Sequence, residues 1–151
     1  MGRGNHLHIH GNTCVRNSYI SFNGNGGEVV IHEGCDLNAK KHKPLILHVR
    51  HNTTIEIGES CLISDGVEMW TTDYHQVIDI ATGKRVNHDA NIRIGDNCWI
   101  GRNVTINKGV AIAPNNIVGN GSLVTKSFGE SNTVIAGNPA QVRKNGITWR
   151  Y

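Results

Sequence analysis

From Ile94 onward, branched aliphatic residues fall at every sixth position: Ile94, Ile100, Ile106, Ile112, Val118 and Val124. The next residue is usually small (Gly95, Gly101, Ala113, Gly119), and Cys98, Val104 and Val110 stand four places on from the first three. An amphipathic helix repeats near 3.6 residues and a half-buried strand every second residue. A period of six therefore predicts a short strand followed by a sharp turn, repeated. The same register appears upstream in interrupted form, in Ile9-His-Gly-Asn-Thr13, Ile31-His-Glu-Gly-Cys35, Ile57-Gly-Glu-Ser-Cys61 and Ile94-Gly-Asp-Asn-Cys98. Each has another aliphatic at the sixth place: Val15, Leu37, Ile63 and Ile100. If three hexads close a triangular coil of 18 residues, the four segments stack on one wall. Their spacings of 22, 26 and 37 then exceed one coil by 4, 8 and 19 residues, each excess a loop pushed out of the coil.

Composition supports strands. Ile (17) and Val (13) outnumber Leu (6) and Ala (7), which argues against a helical bundle. Gly and Asn, at 18 each, supply turns that need positive φ. The 151 residues predict a single all-β domain over 1–151: coils over about 7–126, an active-site loop over about 70–91 that protrudes from about 76 to 91, and a tail over about 127–151 that caps one end. No run of eighteen apolar residues and no charged-then-apolar leader occurs, so a cytoplasmic domain without a membrane span is expected. A net charge of +3 is too mild to suggest a nucleic-acid partner. Cys35, Cys61 and Cys98 share one inward repeat position and lack any Cys-x-x-Cys pair, so they read as a stack of reduced, buried thiols and not as a zinc site.

Continuing the register from Ile57 gives Ile63, Met69 and then His75, where an aliphatic was due. The long insertion runs through Thr71-Thr-Asp-Tyr-His75 and Thr82-Gly-Lys-Arg85 and returns to the coil at Ile92. Those two stretches, followed by Ile94-Gly-Asp-Asn-Cys-Trp-Ile-Gly101, resemble the hexapeptide-repeat O-acetyltransferases that use acetyl-CoA. The nearest resemblance is to those acting on bacterial capsular or other surface polysaccharides, including polysialic acid; galactoside, maltose and xenobiotic acetyltransferases are more distant. The resemblance covers about residues 7–140 and implies a left-handed parallel β-helix assembled as a homotrimer, with active sites between subunits.

The family's catalytic base lies 24 residues before the Trp of the Trp-Ile-Gly hexad, which maps onto His75 and Trp99. Imidazole, with a reference pKa of about 6.5, suits removal of a sugar hydroxyl proton. Asp73 or a backbone carbonyl is expected to orient His75, and a backbone N–H of the Gly101-Arg102 turn to stabilise the oxyanion. Trp99 precedes an inward Ile and should point outwards as a wall for the pantetheine arm or the acceptor. The second signature, Ala136-Gly137-Asn138-Pro139-Ala140, implies a loop against CoA, with Asn120 and Thr125 near its amides. Asn120 departs from the small residue usual in the family. Lys126, Arg143 and Lys144 supply charge for the CoA phosphates. Tyr74 is placed on the cofactor side, and Trp70, Asp65, Arg85 and His88 on the acceptor side.

Rival readings leave their own signals. A γ-type carbonic anhydrase shares this helix but needs His-x4-His, and Ile80 stands where the second His would follow His75, so no metal is expected. A non-catalytic β-helical scaffold is at odds with His75, Trp99 and the 136–140 loop together. An N-acetyltransferase on an amino sugar is the alternative within acyl transfer. His6, His8 and His10 alternate with Leu7 and Ile9 and read as a solvated strand face, while His32, His42, His48 and His51 read as decoration of coil exteriors and loops.

Overall fold

The computed structural model describes residues 2–151 and contains seventeen strands and, among the described residues, no helix. The chain winds through five three-strand coils. The first holds β1 (His6–Ile9), β2 (Cys14–Arg16) and β3 (Ser18–Asn23); the second β4 (Glu28–Ile31), β5 (Asp36–Asn38) and β6 (Leu45–Arg50). The third holds β7 (Thr54–Ile57), β8 (Leu62–Ile63) and β9 (Glu68–Trp70), and the fourth β10 (Ile92–Ile94), β11 (Trp99–Ile100) and β12 (Thr105–Asn107). The fifth holds β13 (Ala111–Ile112), β14 (Ile117–Val118) and β15 (Leu123–Val124); β16 (Thr133–Gly137) and β17 (Ala140–Asn145) follow. Successive coils stack into three walls ordered β1-β4-β7-β10-β13, β2-β5-β8-β11-β14-β16-β17 and β3-β6-β9-β12-β15. Every pairing is parallel except that of β16 with β17, and the architecture is a left-handed β-helix.

The six-residue register is the register of the walls. Ile9 pairs with Ile31, Ile31 with Ile57, Ile57 with Ile94 and Ile94 with Ile112. Val15, Leu37, Ile63, Ile100 and Val118 form the second column, and Met69, Ile106 and Val124 continue the third. All but Ile9 and Val15 are buried; those two lie on the first rung, which has no coil beneath it. Outside glycine, positive φ falls largely on asparagine (Asn12, Asn17, Asn52, Asn97, Asn103, Asn115 and Asn132), because its short polar side chain tolerates the left-handed region better than most. Cys35, Cys61 and Cys98 are free, buried and stacked, and the Cys98 N–H approaches Cys61 Sγ at 3.4 Å. Hydrogen bonding with its two neighbouring thiols, reinforced by burial, drives the Cys61 thiol far above its ordinary range, so it stays protonated. In the fifth coil the next rung of this column is Asn116, fully buried, with its amide donating to Ala113 O and Glu130 O while its oxygen accepts from the Thr133 N–H and hydroxyl.

The tail does two jobs, not one. Phe128 joins the core at the end of the solenoid, and β16–β17 extend the second wall as a hairpin. Beyond the hairpin the chain turns back along the second wall: Trp149 Nε1 donates to Asn97 O and the Tyr151 hydroxyl to Asp36 Oδ2. The expectation of a cap therefore holds for the segment around Phe128, and the last residues strap the side.

The long insertion leaves the third wall after Trp70 and rejoins the first at Ile92. Its outer part is a hairpin in which Ile78 bridges Arg85 and the Val86 N–H donates to Val77 O. Its base is braced by side chains. Asn87 donates to Asp73 Oδ2 at 2.7 Å and to His75 O at 2.8 Å, and its own oxygen accepts from the Val77 N–H at 2.7 Å. Lys108, from the neighbouring corner, contacts Asp73 Oδ2 at 2.8 Å and His88 O at 2.8 Å. Asp89 accepts from the Thr72 hydroxyl and pairs with Arg85. Burial pushes the Asp73 carboxyl up, but the bonds from Lys108 and Asn87 and the charges of Lys108 and Arg85 outweigh it and hold it below its ordinary 3.8. A depressed carboxylate pKa contributes stability that is present above the ordinary value and is lost as pH falls through the folded one.

Two outcomes test this account. Ile100→Ala, at a fully buried rung, should destabilise the protein by about 2–5 kcal/mol in denaturant unfolding, while Ile80→Ala on the exposed hairpin tip should stay within about 0.5 kcal/mol. In an NMR carboxyl titration, Asn87→Ala should move the Asp73 midpoint up towards 3.8, whereas an unmoved midpoint would show that the brace does not act through that carboxylate.

Candidate active site

The sequence-chosen residues assemble into two groups on different sides of the prism. The first group surrounds His75 at the corner between the third and first walls. His75 is exposed; its N–H donates to Asp73 O at 2.6 Å and its carbonyl accepts from Asn87, leaving the imidazole facing solvent. Tyr74 adopts φ of +60°, costly for a bulky residue, and its N–H is held by the Thr72 hydroxyl. That kink projects His75 away from the coil. The carboxylate of Asp73 does not reach the ring of His75: it is engaged by Lys108 and Asn87. Asp73 thus positions the loop backbone and not the imidazole tautomer, which corrects the expectation.

Beneath His75 the outer side of the third wall carries an aromatic cluster that sequence reading did not foresee. The His48 and Trp70 rings lie 4.0 Å apart because β6 and β9 pair them directly. Tyr74 meets both edge-on, at 6.0 and 5.7 Å, with its hydroxyl 3.3 Å from His48 Nδ1. Burial lowers the pKa of His48 against a smaller opposing pull from Glu68. Arg50 closes the cluster, donating to Tyr74 O at 2.9 Å with its guanidinium 5.7 Å from the Tyr74 ring centre. Tyr74, expected beside the cofactor residues, stands here with Trp70. Arg85 is tied to Asp89 and Asn87, and His88 is exposed with its carbonyl on Lys108.

The second group lies on the second wall, at its corner with the third wall and around the tail hairpin. Trp99 points outwards, 37% exposed, beside the inward Ile100. Its outward column runs Asp36, Leu62, Trp99, Ile117, Val134 and Lys144. At the corner, Asp65, only 7% exposed, pairs with Arg102 Nε at 3.0 Å, so it serves the Arg102 side of the molecule and not the His75 side. The Gly101 N–H donates to Val118 O and the Arg102 N–H to Asn120 Oδ1, both at 2.8 Å. Neither is free for an oxyanion, a second correction: in a parallel coil a corner N–H is already committed to the next rung. The hairpin gathers the cations. Lys126 Nζ lies 3.3 Å from Gln141 Oε1, Arg143 Nε donates to Ala136 O beside Gly137, and Lys144 is exposed. Thr125, Asn138 and Pro139 are exposed alongside.

A groove of about 470 Å³ lies elsewhere, on the first wall between His32, Arg93, Pro114 and Phe128, and none of the expected site residues lines it. Among the described residues no three His, Cys, Asp or Glu side chains are arranged to hold a metal ion, and no helix is long and apolar enough to cross a membrane.

A family model for the bacterial transferase hexapeptide (six repeats) matches residues 91–126. The chain is 35% identical over 125 residues to a polysialic acid O-acetyltransferase of Neisseria meningitidis, covering 72% of this chain and 58% of that protein. It is 32% identical over 144 residues to the enzyme of the same name from Escherichia coli O1:K1 / APEC, covering 95% and 44%. The chain thus spans about half the length of these curated relatives. The crystal structure of the polysialic acid O-acetyltransferase OatWY superposes with a TM-score of 0.82 at 30% identity, over 97% of this chain and 77% of that one. With that coverage and the hexad register on every wall, the chain belongs to the hexapeptide-repeat transferase family, among the proteins similar to the polysialic acid O-acetyltransferases.

Proposed function

We propose that this chain is an acetyl-CoA-dependent O-acetyltransferase whose acceptor is a sugar hydroxyl on a bacterial capsular or other cell-surface polysaccharide, of sialic acid-type or hexose units. The observation that carries the reading is His75: a solvent-facing imidazole thrust outwards by the Tyr74 kink and held by a braced loop. The activities of the relatives supply the reaction class. The second wall suits the donor, with an apolar outward column ending at Lys144, and Lys126 and Arg143 close by.

The chemistry needs few parts. Acetyl-CoA brings the acetyl group as a thioester. The sugar oxygen attacks the thioester carbonyl carbon as His75 takes the hydroxyl proton; the new C–O bond forms, the C–S bond breaks, and the electron pair leaves on sulfur. A thiol of pKa about 8.5 departs with little acid assistance. Transfer is direct, in a ternary complex: Cys35, Cys61 and Cys98 are buried in the core, and the half-buried Cys14 lies on the second wall of the first coil, away from His75, so no thiol serves as acyl-enzyme nucleophile. Those reduced thiols also suit a cytoplasmic setting.

His75 and Trp99 sit at different walls of one prism. One site containing both therefore takes His75 from one protomer and Trp99 from its neighbour, as a homotrimer with clefts between prisms allows. Trp70, Arg85 and His88 then stand on the acceptor side of each cleft.

His75→Ala should lower kcat by about 10²–10⁴-fold with CoA affinity unchanged in calorimetry; undiminished turnover would end the assignment of the base. Sedimentation should give a trimer, and an active monomer would contradict the shared cleft.

A further inference from the structure

The strap along the second wall has no place in the catalytic scheme above, yet it lands on Trp99. The rings of Trp99 and Trp149 lie 6.1 Å apart at an interplanar angle of 48°, open like a V. Three bonds hold the strap there: the Ile147 N–H to Asn132 O at 2.9 Å, Trp149 Nε1 to Asn97 O at 2.8 Å and the Tyr151 hydroxyl to Asp36 Oδ2 at 2.7 Å. Trp99 keeps 37% exposure, so the strap does not seal it. What remains is a slot of about 150 Å³ lined by Leu62, Trp99, Trp149, Arg150 and Tyr151.

We propose that Trp149 completes a binding slot with Trp99 for the branched alkyl part of the pantetheine arm of CoA, a role that rests on the acetyl-transfer reading. Three observations select that occupant. A slot of about 150 Å³ is below the several hundred Å³ of a pocket that encloses a whole ligand, so it takes a fragment. The Trp149 N–H and the Tyr151 hydroxyl are already engaged, on Asn97 and Asp36. A sugar ring would bring several hydroxyls to a slot where only the exposed Arg150 side chain is left to meet them, whereas a gem-dimethyl segment asks only for the apolar contact that Leu62, Trp99 and Trp149 give. Finally, Lys144 occupies the same outward column as Trp99, three strand steps away through Ile117 and Val134, or about 14 Å at the usual strand spacing. In CoA the gem-dimethyl carbon sits one CH2–O link from the diphosphate, so an alkyl segment at Trp99 lays the diphosphate along the column and leaves Lys144 to the phosphate on the ribose.

The test is calorimetric titration of the intact protein with CoA, which reads binding without turnover, followed by NMR titration with pantetheine, which lacks the phosphates. Trp149→Ala should weaken CoA by about tenfold or more and weaken pantetheine in parallel, as loss of an aromatic anchor does. Trp149→Phe should recover most of that loss, and Lys144→Ala should weaken CoA while leaving pantetheine unchanged. The strap lies outside the core cluster, so thermal unfolding of the Trp149 variants should stay near that of the parent. Parental CoA binding with parental affinity retained in Trp149→Ala overturns the slot and leaves the acetyl-transfer reading standing. A parent chain that binds no CoA overturns both.

Discussion

One constraint organises this molecule: each coil must return to its starting wall in register with the coil below, because every inward aliphatic is covered by the rungs on either side of it together with the inward residues of the other two walls. Parallel pairing carries the backbone from rung to rung, and the columns Ile31-Ile57-Ile94-Ile112 and Leu37-Ile63-Ile100-Val118 are its side-chain counterpart. A one-residue slip at any corner would turn a column outwards. Surplus chain can therefore leave only at corners, and the insertion that carries His75 is such a surplus.

This makes clear why the site divides as it does. The prism is rigid and repetitive, and chemistry sits where the repeat is broken. At the loop, order comes from side chains bonding to backbone: Asn87 ties together Asp73, His75 and Val77, and Lys108 joins Asp73 to the carbonyl of His88. On the second wall, order comes from the ladder itself, which sets Leu62, Trp99 and Ile117 side by side.

The fold was legible because its signal is arithmetic. Hexad spacing alone paired Ile9, Ile31, Ile57 and Ile94, aligned the three buried thiols, and turned Trp99 outwards. Other features depend on contacts that no period announces. His48 meets Trp70 only once the eight surplus residues of the second coil are divided, four and four, between the corners before and after β6. Lys108 reaches Asp73 across the whole insertion, and Trp149 reaches Asn97 from 52 residues away. The role first given to the Gly101-Arg102 amides failed because both donors are taken, the Gly101 N–H by the ladder at Val118 O and the Arg102 N–H by the Asn120 side chain. Asp73 was assigned by proximity in sequence, and Lys108 and Asn87 had the stronger claim to its carboxylate.

The outward column of the second wall also behaves as a ruler. Its graduations are backbone hydrogen-bond spacings, so the gap between Lys144 and Trp99 changes only in whole coils and not by gradual drift. Duplicating or deleting one hexad triplet between them would shift one mark against the other by a full division while leaving the core geometry intact. A protein built this way can alter the spacing of groups along one wall in discrete steps, independently of the sequence of its loop.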